Sequence, residues 1–234
     1  MTRAVSLVLL AIIAACVRAQ GDEAPVEVND LPLVDVPATG AVADVLAVIV
    51  SGDGGWACID KTIAGRLAAR GVAVVGLNSL KYFWTRRSPD GAARDLERIL
   101  RHYLATWHKQ KIILIGYSRG ADVLPFMADR LPKELRSRIA LIVLMGSTLA
   151  ASFEFHLIDW LWVVPRPRDL PILPEVDKLR GMNILCVYGE DEKDPLCKKL
   201  APGQATVLAL PGGHHFGGHY DEIARRILDE ALPR

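Results

Sequence analysis

Six short apolar runs punctuate the chain: Val45–Val50, Val72–Leu77, Ile112–Ile115, Ile139–Met145, Ile184–Tyr188 and Thr206–Leu210. Most are continuous and rich in Val, Ile and Leu, the pattern of parallel strands buried on both faces. Amphipathic stretches lie between them. Asp60 reads as the cap of a helix that reaches Arg70 and stops at Gly71. Ser88-Pro89 supplies an N-cap followed by proline at the first helical position. The helix after it sets Leu96, Ile99, Leu100, Tyr103, Leu104 and Trp107 on one stripe. A closing helix is expected from about Tyr220 to Leu232. This alternation predicts one α/β domain over residues 30–234, a mostly parallel sheet with helices on both faces.

One segment breaks the rhythm. Thr148–Pro174 carries Phe153, Phe155, Trp160 and Trp162, then leaves through a proline-rich exit. Insertions after strands lie at the ligand-binding edge of such sheets, so this one is expected to be a packed cap or a substrate-facing lid.

The N-terminus has a different character. Arg3 precedes an apolar run from Val5 to Ala15, and no acidic residue occurs before Asp22. That run is short for a bilayer span but suits the core of a signal peptide. Val17-Arg18-Ala19 offers a cleavage site that makes residues 1–19 the signal. Ile13-Ala14-Ala15-Cys16 offers a lipobox, making residues 1–15 a lipoprotein signal and Cys16 a lipid anchor. Both imply export to the periplasm, where disulfides persist. Cys186 and Cys197 are then the candidate disulfide, against the alternative of buried thiols.

Charge adds an exclusion. Of 234 residues 28 are basic and 27 acidic, and losing Arg3 and Arg18 with a signal leaves 26 against 27. No basic excess is present to neutralise phosphates, so nucleic acid is not an expected partner.

The chemistry gathers at strand ends. Gly116-Tyr117-Ser118-Arg119-Gly120 follows the run Ile112–Ile115 and opens a helical stretch, Ala121–Arg130. As a bare pentapeptide this is a weak signal. Between a core strand and a helix it reads as a nucleophile elbow that exposes Ser118. Serine needs a base, and the base needs an orienting carboxylate. The last apolar run leads into Pro211-Gly212-Gly213-His214-His215-Phe216-Gly217-Gly218-His219. His215, directly before phenylalanine, is the preferred base; His214 is the alternate, and His219 is expected to start the last helix. After Ile184–Tyr188, Gly189-Glu190-Asp191-Glu192-Lys193-Asp194-Pro195 holds four carboxylates. Counting three residues beyond the glycine selects Glu192, whereas matching Asp-Pro selects Asp194. Asp194 is the preferred acid, with Glu192 and Asp191 open.

An acyl-transfer site also needs amides for an oxyanion. Ser51-Gly52-Asp53-Gly54-Gly55-Trp56 follows Val45–Val50 without the Gly-Lys-Ser/Thr of a phosphate loop. The amides of Arg119 and Asp53 are the candidate donors. Trp56, Trp160 and Trp162 are the candidate substrate contacts. No Cys or His spacing here suits a metal, and no cofactor is expected.

Taken together, the signal sequence, Ser51–Trp56, Gly116–Asp122, Tyr188–Glu192 and Gly212–Phe216 resemble the bacterial virulence family of VirJ and the C-terminal domain of AcvB. The resemblance covers nearly the whole mature chain, and Ser-Gly-Asp-Gly-Gly-Trp is its most specific motif. It implies an α/β-hydrolase fold, a periplasmic location and the short, VirJ-like form. It also implies hydrolysis of aminoacylated phosphatidylglycerol, chiefly the lysyl form, at a membrane surface. For plant-associated members it implies a link to type IV secretion components. The alternatives are a general carboxylesterase or thioesterase, or a non-catalytic adaptor of a secretion complex.

Overall fold

The computed structural model describes residues 26–39, 41, 43–155 and 168–232. The expected signal segment with Cys16, and Trp160 and Trp162 of the insertion, lie outside these residues. The described chain forms β1 (Leu33–Val36), β2 (Val45–Val50), α1 (Cys58–Ala69), β3 (Ala73–Leu77), α2 (Ser79–Tyr82), α3 (Pro89–Thr106), β4 (Lys111–Tyr117) and α4 (Arg119–Asp129). There follow α5 (Lys133–Arg136), β5 (Ile139–Met145), β6 (Ala150–Ala151), β7 (Leu170–Pro171), α6 (Leu173–Lys178), β8 (Ile184–Gly189), β9 (Thr206–Leu210) and α7 (Tyr220–Ala231).

Seven strands make one sheet in the order β1-β3-β2-β4-β5-β8-β9. All neighbours run parallel except β1, which pairs antiparallel with β3 at the edge. The pleat divides the core in two. Along β2, Leu46, Val48 and Val50 face α3 and α4, while Val45, Ala47 and Ile49 face α1 and α7. All six are buried, which is why this run is continuously apolar rather than alternating.

Helix ends follow local chemistry. Ser88 Oγ accepts the Gly91 amide at 3.0 Å, with Pro89 opening α3. Asp60 is not the cap of α1 but its third residue, and its carboxylate reaches back to the Ala57 amide at 3.0 Å. Burial pushes the Asp60 carboxyl up to about 6.

From β2 the chain steps to β3 on one side and then returns to β4 on the other. A crevice therefore opens beyond the C-terminal ends of β2 and β4, the point where such sheets bind ligands. Ser51 and Ser118 leave the sheet there. The aromatic insertion begins at the same edge, after β5. Phe153 and Phe155 are buried, as a packed cap requires. Phe153 meets Phe83 and Phe126 edge-on.

Cys186 of β8 is joined by a disulfide to Cys197, eleven residues further on. The bond closes the loop that carries the four carboxylates. By loop entropy it contributes about 2–3 kcal/mol. Reduction is expected to lower the thermal midpoint by several degrees, read by melting the purified protein with and without dithiothreitol. An unchanged midpoint, or two alkylatable thiols at these positions before reduction, would contradict it.

Candidate active site

The site begins with a backbone turn that only its neighbours make tolerable. Ser118 stands between β4 and α4 with φ 52° and ψ −122°, outside the comfortable range for an L residue. Its amide donates to the Met145 carbonyl at 2.8 Å, which pins the turn to β5. Both flanking glycines are required by close approach. A Cβ on Gly116 would lie 2.5 Å from the Gly120 carbonyl oxygen, and one on Gly120 would lie 1.9 Å from that of Val50. The pentapeptide thus packs α4 directly on β2 and lifts the serine hydroxyl above the sheet.

Two groups from later loops meet it. His214 Nε2 is 2.8 Å from Ser118 Oγ. His214 Nδ1 is 2.7 Å from Glu192 Oε1. With the proton on Nδ1, this nitrogen donates to the carboxylate and leaves Nε2 to accept from the serine hydroxyl. The other carboxylate oxygen, Oε2, accepts the Gly189 amide at 2.8 Å. Burial opposes charge on Glu192, but the bonds from His214 and Gly189 outweigh it and hold this carboxyl below its ordinary value. The carboxylate is therefore ionised at neutral pH.

These contacts correct two sequence expectations. The imidazole at Ser118 belongs to His214, not His215. Phe216 plugs its ring fully into the core and takes φ 53°, and the turn this forces leaves His215 exposed. His215 Nδ1 instead meets the Tyr117 hydroxyl at 3.0 Å. Room for His214 comes from Gly146, where a Cβ would sit 2.8 Å from the imidazole Cε1. The carboxylate belongs to Glu192, not Asp194. Asp194 precedes Pro195 and points to solvent, 71% exposed, 3.2 Å from Lys199 Nζ. Asp191 is also exposed. Glu192 folds back because its amide donates to the Gly189 carbonyl, a tight turn that returns its side chain to the strand end.

The glycine-rich loop runs beside Ser118. A Cβ on Gly52 would lie 3.2 Å from Ser118 Cβ. The Asp53 carboxylate pairs with the Arg119 guanidinium, which also donates to the carbonyls of Ser152 at 2.8 Å and Glu154 at 3.1 Å. Arg119 is thus a side-chain strut, while its amide heads α4 among first-turn N–H groups that point out of the helix end. Trp56, expected at the substrate, lays its ring on β3, where a Cβ on Gly76 would be 2.2 Å from Cζ3. It packs with the core that faces α1.

Asp122, which pattern reading passed over, holds the neighbouring turn. Its carboxylate accepts from Ser147 Oγ at 3.0 Å and from the Thr148 amide at 2.7 Å. Burial pushes it up to about 7. The signal lay in Gly116–Asp122, where an acid on a wholly buried helix face needs a partner.

Comparison with known proteins agrees with this architecture. A family model described as bacterial virulence protein (VirJ) matches residues 44–234. No curated protein matches the chain. Among solved structures it is similar to Est1E from Butyrivibrio proteoclasticus with ferulic acid bound, at 13% identity and a TM-score of 0.62, covering 89% of this chain and 99% of that one. MenH from S. aureus is similar at 15% identity and a TM-score of 0.58, over 85% and 98%. An alpha-beta serine hydrolase homologue from Coxiella burnetii is similar at 17% identity and 0.56, over 84% and 89%. At these identities the likeness establishes the fold, that of the α/β hydrolases.

Proposed function

The chain belongs to the VirJ family of bacterial virulence proteins, and on that premise we propose that it is an exported serine esterase that deacylates aminoacylated phosphatidylglycerol. The observation that carries this reading is the hydrogen-bonded row Ser118–His214–Glu192.

In the proposed reaction, Ser118 Oγ attacks the aminoacyl carbonyl carbon as its proton passes to His214 Nε2. Glu192 stabilises the imidazolium that results. The tetrahedral oxyanion faces the amides of Arg119 and Asp53. Its collapse breaks the bond to the glycerol oxygen, which leaves with the proton from His214. Water, deprotonated by the same imidazole, then attacks the acyl-serine and releases the amino acid.

Several features support export. Arg3 and the apolar run after it have the form of a signal segment, ending either at Ala19 or at Ala15 just before Cys16. The Cys186–Cys197 disulfide suits an oxidising compartment. The link to type IV secretion rests on the family resemblance.

Purified mature protein is expected to release free lysine from lysyl-phosphatidylglycerol in detergent micelles at least tenfold faster, in kcat/KM, than it cleaves simple acyl esters or thioesters of similar reactivity. Faster cleavage of a simple ester or thioester would replace this substrate with a general one. No turnover on any of them would leave the adaptor role.

A further inference from the structure

A cavity of about 550 Å³ opens beside the site, between the segment before α3 and the two ends of the aromatic insertion. Its lining does not include Ser118 or His214. Arg119 connects the two places, because the residue next to the nucleophile bonds the carbonyls of Ser152 and Glu154 in the cavity wall. Three guanidiniums contribute to the lining, from Arg86, Arg87 and Arg168, against two carboxylates, from Glu154 and Asp169.

The five charges are not equivalent. Glu154 and Asp169 each have partners of their own. Arg87 is engaged, its Nε donating to the Tyr82 carbonyl at 3.3 Å while the guanidinium lies over the Tyr82 ring. Among the described residues, the guanidiniums of Arg86 and Arg168 make no hydrogen bond or ion pair, and both residues are exposed. Ser88 and Pro89, also in the lining, open the 18-residue helix α3, whose positive end adds to the field. Beside them Trp84 stacks on Phe155 with 63% of its surface exposed, a residue suited to the boundary between water and lipid. Phe153 and Leu170 give the cavity an apolar floor.

We propose that this cavity is an anion subsite in which Arg86 and Arg168 hold the phosphodiester of a lipid headgroup while the ester carbonyl of the same molecule reaches Ser118. A guanidinium presents paired donors that match two phosphate oxygens. Glycerol separates the ester from the phosphorus by three carbons, a span comparable to the Arg119 side chain that separates the cavity wall from the nucleophile. The subsite rests on the esterase reading for its substrate, but its ligand chemistry can be tested without turnover.

The test uses full-length mature protein, as wild type and as Arg86→Gln, Arg168→Gln and the double variant. These side chains are exposed and make no hydrogen bond or ion pair among the described residues, so folding is expected to be unaffected. Calorimetric titration with glycerophosphoglycerol, a soluble phosphodiester, is expected to show binding that the double variant weakens at least tenfold. Inorganic phosphate and glycerol are the comparison probes. Binding of glycerophosphoglycerol that is absent, or equal in wild type and double variant, overturns the subsite. Tighter binding of inorganic phosphate than of the diester overturns the lipid assignment. In turnover, the double variant is expected to lose at least tenfold in kcat/KM on lysyl-phosphatidylglycerol, chiefly through KM, and less than twofold on lysine methyl ester. Equal losses on both count against the subsite. Arginine-dependent binding of the diester in a protein that never cleaves the lipid would uphold the subsite and remove the esterase reading.

Discussion

Ser118→Ala is expected to lower ester turnover by about 10⁴–10⁶-fold while leaving the fold in place. The loss is expected to be large because, among the described residues, the Ser118 hydroxyl is the one that meets His214 Nε2, at 2.8 Å. Amides and substrate contacts would persist, and they account for the residual rate over water that triads keep when one member is removed. The fold is expected to survive for a separate reason. The strained turn is held by the backbone, through the Ser118 amide and the Met145 carbonyl, and alanine keeps both. It also keeps the Cβ against which Gly52 packs. The measurement is steady-state hydrolysis of the best substrate beside a thermal melt of the same preparation. Near-normal turnover with an unchanged melt would mean that the serine is not the nucleophile. Lost turnover with a collapsed melt would mean that the hydroxyl holds the fold together, contrary to its placement.

The fold was legible because burial on both faces leaves a coarse mark. Each of the six apolar runs became a strand, three with the expected ends and three shifted by a residue or two, since a parallel core strand must be apolar throughout. The elbow was legible for a related reason, as two glycines around a serine between strand and helix have few other uses. Edges were harder. Leu33–Val36 is four residues long, antiparallel and only partly buried, so β1 left no continuous apolar trace. In the insertion, Phe153 and Phe155 are aromatic because they fill the core near Phe83 and Phe126, the packed-cap alternative. Trp56 likewise covers the bare backbone of Gly76, and a glycine inside a strand was the clue to that.

The choice between neighbours was least legible of all. His214 and His215 are adjacent in sequence and chemically identical, and only the torsions of the turn decide which one faces the serine. Those torsions depend on Phe216 entering the core and on the gap left by Gly146, neither of which is local information. For the acid, two rules of thumb competed. Counting from Gly189 reached Glu192, because the Gly189–Glu192 turn is a backbone hydrogen bond that returns the side chain to the strand end. Matching Asp-Pro reached Asp194, because proline restrains its predecessor but does not aim it inward.

This geometry makes the last expected result a contrast between neighbours. His214→Ala is expected to lower turnover by about 10⁴–10⁶-fold, as loss of the base does in such triads, whereas His215→Ala should stay within about tenfold of wild type. The smaller effect has a source. His215 Nδ1 and the His214 carbonyl share the Tyr117 hydroxyl, so removing the His215 ring alters one of two contacts that steady the loop. Glu192→Gln is expected to cost about 10⁴-fold, because an amide can donate to the imidazole and favour the wrong tautomer, and it supplies no charge for the imidazolium. Asp194→Asn should be nearly neutral, since its carboxylate makes one solvent-exposed ion pair, with Lys199, among the described residues. A large loss at His215 with little at His214, or at Asp194 with little at Glu192, would show that the loops rearrange when substrate binds and that the row seen here is not the working one.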